Sequence, residues 1–189
     1  VIDLYPPDPL VLRPYGHAII DEFFPNYEEA RSFALAQDFD QNLTFSVDGH
    51  QYPRHAPIKD GMFKLYVASL LKIAFNLGEV EILHAAFVSA VKGFKTQQWI
   101  HADNLCAQFA AVCHLHDIKC TGTKFYEHHD LGHELVPPVS EEVAAQLRED
   151  GNPGICEIGK FGHTDYVDSR PNRLYIYPAS RFHSRWPRV

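Results

Sequence analysis

Long apolar runs are missing from this sequence: none approaches the roughly 18–20 residues that a membrane-spanning helix requires. The opening, "VIDLYPPDPLVLRPYG", also lacks the basic, apolar, small-residue order of a secretory leader. The expectation is a soluble protein of the cytoplasm. Cysteine is scarce too. Cys106, Cys113, Cys120 and Cys156 form no C-x-x-C pair and are too sparse for a secreted disulfide scaffold, so buried free thiols are expected. No phosphate-binding loop, dinucleotide fingerprint or nucleophile elbow occurs. A surplus of positive charge is absent as well, the net charge being −7. That balance argues against a protein that holds nucleic acid by counterion release. The charge is unevenly spread, with +4 from Lys160 onward and −11 over the first 159 residues. Such a basic end is either a solvated surface or a grip for a small anion.

What is present is enough apolar material, 46% of 189 residues, for one substantial core, and a single domain over 1–189 is expected. Residues 1–79 read as an N-terminal strand and helical buttress. The segment "HAIIDEFFPN" leads from a short strand into a helix capped at Asn26, with Glu28 and Glu29 at its positive end and Ala30, Phe33 and Ala34 along one stripe. A second helix is predicted from Asp60 to about Gly78, with Phe63, Val67, Leu70, Leu71 and Ala74 on one face and Gly78 as its stop. From Val80 the pattern turns to short apolar runs. "VEILHAAFVSAV", "FKTQQWIH", "AQFAAVCHLH", "TKFYEHH", "GKFGHTDYVD", "RLYIYPA" and "RFHSRW" read as strands. Near 131–154 they are interrupted by an insertion carrying one helix, capped by Ser140 and stopped near Gly151. The fold class is therefore mostly β with flanking helices, and the helices are expected to buttress one face of a β-sandwich or jelly roll.

The stretch "QQWIHADN" places His101 and Asp103 two residues apart, on one face if the segment is extended. His183, in "PASRFHSRWP", is a third candidate ligand. Two imidazoles and one carboxylate, two close in sequence and one distant, fit a facial triad that leaves positions open on Fe(II). Twelve histidines make the isolated pair a weak signal.

The flanking segments carry a resemblance. "HADN", "AAVCHLH", "TGTKFYEH" and "NRLYIYPASRFHS" occur in the order seen in the double-stranded β-helix of Fe(II)/2-oxoglutarate-dependent oxygenases of the prolyl-hydroxylase type, and "IIDEFFPNYEEARSFALAQDF" resembles the N-terminal segment of a little-characterised bacterial and phage branch of that superfamily. The resemblance implies a double-stranded β-helix (jelly roll, cupin-like) over 80–189. It implies His101, Asp103 and His183 as iron ligands, with 2-oxoglutarate and O2 as co-substrates. The activity implied is hydroxylation of a C–H bond on a small molecule, amino acid or peptidyl residue, with release of succinate and CO2. His114 falls where a tyrosine of the family commonly binds the far carboxylate of 2-oxoglutarate, work an imidazole can do, above all when protonated. The alternative for His114 is a polar strand residue. The family also places an Arg or Lys roughly ten residues after the distal histidine to grip that carboxylate. Here Val189 comes six residues after His183. Either that strand lies beyond the sequence, or Arg185, on the same face of a strand as His183, takes the role. Arg173 is less direct, since the family's Asn-Arg pair is mainly structural.

Other features have plainer readings. His128, His129 and His133 in "EHHDLGH" suggest a loop at the mouth of the barrel rather than zinc; Trp99, Phe125 and Tyr126 read as core; Asp165 and Asp168 read as solvated turn residues. Two rivals to the oxygenase stand: a non-catalytic jelly roll that binds a sugar or peptide, and a cupin-like metalloenzyme that does without 2-oxoglutarate.

Overall fold

Side-chain alternation sorts the strands into two sheets that share an interior. The computed structural model describes residues 16–39, 41–44, 51–89, 100–103, 107–116, 118, 121–135, 140–150 and 160–186. The first antiparallel sheet runs β1 (Ala18–Ile20), β8 (Arg173–Pro178), β5 (Phe109–His114). The second runs β7 (Phe161–Asp168), β6 (Gly122–His128), β9 (His183–Trp186). Ile19, Ala110, Val112, Tyr175 and Tyr177 of the first meet Phe125 and Val167 of the second in one buried cluster. The chain passes from the first sheet to the second twice, between β5 and β6 and between β8 and β9.

Neighbouring positions on the same strands face outward. Ile20, Cys113 and Leu174 pack with Ala30 of α1 (Tyr27–Leu35) and with Phe63, Val67, Leu70, Leu71 and Ala74 of α2 (Gly61–Phe75). On the far side, Tyr126 and Phe161 pack with Phe182, Leu135, Ile100 and Ala102, and with Val143 and Leu147 of α3 (Glu141–Asp150). The layers are thus helices, sheet, sheet, helix. A third sheet, β2 (Gln41–Thr44), β3 (Gln51–Pro57), β4 (Ala86–Val88), joins the first helical layer through Phe87, whose ring meets Phe33 and Phe63.

Local chemistry explains most boundaries. Asp60 accepts from the backbone N–H groups of Met62 and Phe63 at 2.8 and 3.2 Å, a side-chain cap for α2. Ser140 does the same for α3 by accepting from Val143 at 3.2 Å. Gly122 begins β6 because a Cβ there would lie 2.1 Å from the carbonyl oxygen of Val167. A register shift between Phe125 and Tyr126 skips Thr164 on β7, and this bulge lets Phe161 face outward while Val167 faces inward.

Several expectations need correction. The second helix stops at Asn76, which takes the left-handed conformation (φ 51°), with Leu77 N–H bonding back to Lys72 O at 3.0 Å; Gly78 is not the stop. Asn26 stands at the start of α1 but its side chain makes no cap bond, leaving Glu28 and Glu29 to favour that end. Among its described residues, the apolar run from Val80 forms a strand over Ala86–Val88, where β3 supplies a partner. The hairpin of β2 and β3 was not anticipated. Trp99, Cys106, Cys120, Cys156, Gly151 and most of "FKTQQWIH" lie outside the described residues. Among the described residues no helix is long and apolar enough to cross a membrane.

Candidate metal centre

Ile100 and Ala102 point into the outer cluster beneath α3, so His101 and Asp103 are turned the other way, as a spacing of two requires. Two backbone bonds fix this segment against β9: His101 N–H to His183 O at 3.0 Å and His183 N–H to His101 O at 2.9 Å. A third, from Asp103 N–H to Ala179 O at 2.6 Å, pins the carboxylate residue to the end of β8. Asp103 then lies 3.7 Å from His101 Nε2 and 3.4 Å from His183 Nε2. The three residues offer ligand atoms that all lie within 4.8 Å of one another, the only such group among the described residues.

The electrostatics suit metal ligation. His183 Nδ1 lies 2.9 Å from the carbonyl oxygen of Arg181 and donates to it, which leaves the Nε2 lone pair directed at the cluster. Burial, followed by the neighbouring His101, pushes His183 down to about 4 against the pull of Asp103. The ring is neutral near pH 7, the form that binds metals. Tyr177 and Phe125 close the inner side, with ring centroids 4.8 and 6.5 Å from that of His183. Phe125 and Tyr126 are core, as expected, but Phe125 also borders the cluster.

His114 and Arg185 stand apart from this group. His114 ends β5, its ring 5.6 Å from that of Tyr175 and 5.2 Å from that of His116. Its buried Nε2 has no hydrogen-bond partner among the described residues. Burial first, then the charges of His116, Arg173 and Arg185, push it down to about 4 despite Asp168. With that shift the ring is neutral near pH 7 rather than protonated. Arg185 is exposed on β9, opposite Thr123 of β6, and its charge reaches His114. Between them Thr123 Oγ1 and Tyr175 OH hydrogen-bond across the two sheets.

The remaining candidates have structural duties. Arg173, 6% exposed, pairs through Nε and Nη2 with both oxygens of Asp21 at 2.6 and 2.8 Å and through Nη1 with Asp168. Three of its five N–H donors are thus committed to carboxylates. Asp165 and Asp168 are strand residues with side-chain partners, not turn residues: Asp165 lies 3.1 Å from His17, and Asp168 also pairs with Arg170 at 2.8 Å. His128 ends β6 rather than lying in a loop. It is 1% exposed and bonded through Nε2 to Asp150 of α3 at 3.1 Å. Cys113 is a free thiol that burial pushes up to about 12, an unreactive core residue.

Reading the sequence missed Arg181. It is 2% exposed, its Cζ lies 3.9 Å from the centre of the Phe125 ring, and burial pulls its guanidinium below its ordinary value while Asp165 opposes that shift. The signal was available in "SRFHSR", where Arg181 precedes His183 by the same two positions by which Arg185 follows it.

No curated protein and no solved structure matches the chain. One family profile does, over residues 15–186. On that extent the chain belongs to DUF6445, a family of unknown function.

Proposed function

We propose that this protein is a non-haem Fe(II)- and 2-oxoglutarate-dependent oxygenase, a hydroxylase of a small molecule, amino acid or peptidyl residue, working in the cytoplasm on a double-stranded β-helix. The observation that carries the reading is the convergence of His101, Asp103 and His183 within 4.8 Å, on the inner side of the second sheet. The donor set fits: two imidazoles and one carboxylate suit Fe(II) with positions left open, whereas closed zinc sites use four ligands and often thiolates. The facing sheets and the repeated crossings of the chain between them are consistent with the proposed fold.

When bound, iron and 2-oxoglutarate supply the oxidising chemistry, in which O2 is consumed, 2-oxoglutarate gives succinate and CO2, and a substrate C–H becomes C–OH. The chain's own residues do the rest. His183 is kept neutral by its burial and by His101, and is oriented by its hydrogen bond to the Arg181 carbonyl. Asp103 supplies the negative charge that offsets part of the metal's. The unmet Nε2 of His114 is a donor for the far carboxylate of the co-substrate, and Arg185 contributes charge at the open end. Tyr177 and Phe125 keep water from the inner side.

The neutral state of His114 favours a second reading, a cupin-like metalloenzyme that acts without 2-oxoglutarate. Anaerobic titration of the metal-free protein with Fe(II) and then 2-oxoglutarate separates the two. The proposal expects a weak visible metal-to-ligand charge-transfer band that Asp103→Ala abolishes. Iron binding without that band selects the second reading, and absence of iron binding in folded protein leaves a non-catalytic ligand-binding fold.

A further inference from the structure

A buried guanidinium normally has its N–H groups satisfied, because each unmet donor was stripped of water without return. Arg181 breaks that rule. Its Nε and Nη1 have no hydrogen-bond partner among the described residues, although the residue is only 2% exposed. Nη2 has one carboxylate in reach among the described residues, Asp165 at 3.7 Å, longer than a hydrogen bond. Asp165 is shared with His17 Nδ1 at 3.1 Å, and His17 in turn stacks on Phe125 beneath the guanidinium. Glu134 adds a more distant negative charge. The cation is thus held in place while at least two of its nitrogens still lack a hydrogen-bond acceptor.

Its position connects it to the metal centre. Arg181, His183 and Arg185 occupy alternate positions and lie on one side of the backbone, about 7 Å apart along the chain. The triad is flanked by a closed cation at Arg181 and an open one at Arg185. We propose that Arg181 is a carboxylate-binding subsite beside the triad and that it receives the acid group of the substrate, which is therefore a carboxylic acid. This assignment rests on the oxygenase reading, in which the far carboxylate of 2-oxoglutarate is taken on the His114 side. A monoanion fits better than a phosphate dianion, since Asp165 and Glu134 already offset part of the positive charge.

The test uses the Arg181 Nε–H resonance of 15N-labelled, metal-free protein, assigned by its loss in Arg181→Lys. Acetate is expected to move it saturably, while acetamide and inorganic phosphate leave it in place. Asp165→Asn, which removes the competing carboxylate and keeps Arg181, is expected to bind acetate severalfold more tightly. In a second arm, anaerobic Fe(II) protein is titrated with 2-oxoglutarate. Arg181→Lys is expected to bind it within about twofold of the original, whereas Arg185→Met binds it about tenfold more weakly. A resonance indifferent to acetate, or one moved equally by phosphate, overturns the subsite. Loss of 2-oxoglutarate affinity in Arg181→Lys overturns the substrate assignment by giving the subsite to the co-substrate. Because the acetate arm contains no metal, its failure is distinct from a failure to bind iron, which overturns the oxygenase reading.

Discussion

His101 and His183, far apart in the chain, exchange backbone hydrogen bonds in both directions, at 3.0 and 2.9 Å. In an antiparallel pair of this kind the two side chains leave the backbone on the same side, and here the imidazole centroids come to 4.4 Å. The candidate site is therefore set by main-chain geometry, with the side chains following.

Metal binding should consequently fail without loss of the fold when only a side chain is altered. Asp103→Asn keeps the backbone bond to Ala179. It is expected to weaken Fe(II) or Ni(II) binding by at least about 100-fold, more than the usual cost of losing an outer hydrogen-bond partner. Metal at a hundred times its Kd should stabilise the original protein by about 2.7 kcal/mol and the variant by almost nothing. Thermal melts with and without metal check this, and an equal shift in both proteins would remove Asp103 from the site.

The buried ring of His114 predicts an acid-sensitive fold. Its value lies near 4 in the folded protein against an ordinary 6.5, so the unfolded chain takes up the proton first as pH falls. The contribution is fully present above about 6.5, declines between about 6.5 and 4, and levels off below. Its size is on the order of 3 kcal/mol. In His114→Phe the loss of stability between pH 7.5 and pH 4.5, read by urea unfolding of metal-free protein, should shrink by a large part of that amount.

Arg173 ties β8 to Asp21 beyond β1 and to Asp168 at the end of β7. Removing one partner of a fully buried ion pair costs about 3–5 kcal/mol. Both carboxylates here are more than 40% exposed, which places Arg173→Met nearer 2 kcal/mol by equilibrium unfolding. The same variant should bind 2-oxoglutarate as the original does. A selective loss of that binding would restore Arg173 as a ligand residue.

Asn172 holds a turn that no other L-residue serves as well. At φ 60° it sits in the left-handed region, accepts from Phe24 N–H at 2.8 Å and donates to Phe24 O at 2.9 Å, both buried. Asn172→Ala loses both bonds and adds conformational cost, about 2–4 kcal/mol together. Asn172→Gly relieves the conformational part and should recover about 1 kcal/mol of it. Equal destabilisation by both changes would show that the side-chain bonds alone matter.

These residues also show where sequence reasoning reaches. The stripe Phe63, Val67, Leu70, Leu71 and Ala74 is legible because a 3.6-residue period depends only on neighbours along the chain, and these side chains do line the helix face packed on the first sheet. The strands around "AAVCH", "TKFYEH" and "RLYIYP" are legible for the same reason with a period of two. The β2–β3 hairpin was missed although Asp48-Gly49, a favoured hairpin dipeptide, stands between its strands. Its flanking residues alternate too poorly to mark a buried face.

By itself the sequence determined the helices, most strands and the identity of three metal-ligand candidates, since periodicity, caps and residue chemistry are local properties. Only the tertiary structure decided that His183 lies against His101, that Arg173 and Asp168 are bound to each other, and that Arg181 is buried with unmet donors. Strand pairing joins residues across long loops, and desolvation is fixed by whatever packs above a side chain. Neither is encoded in the spacing around a single residue.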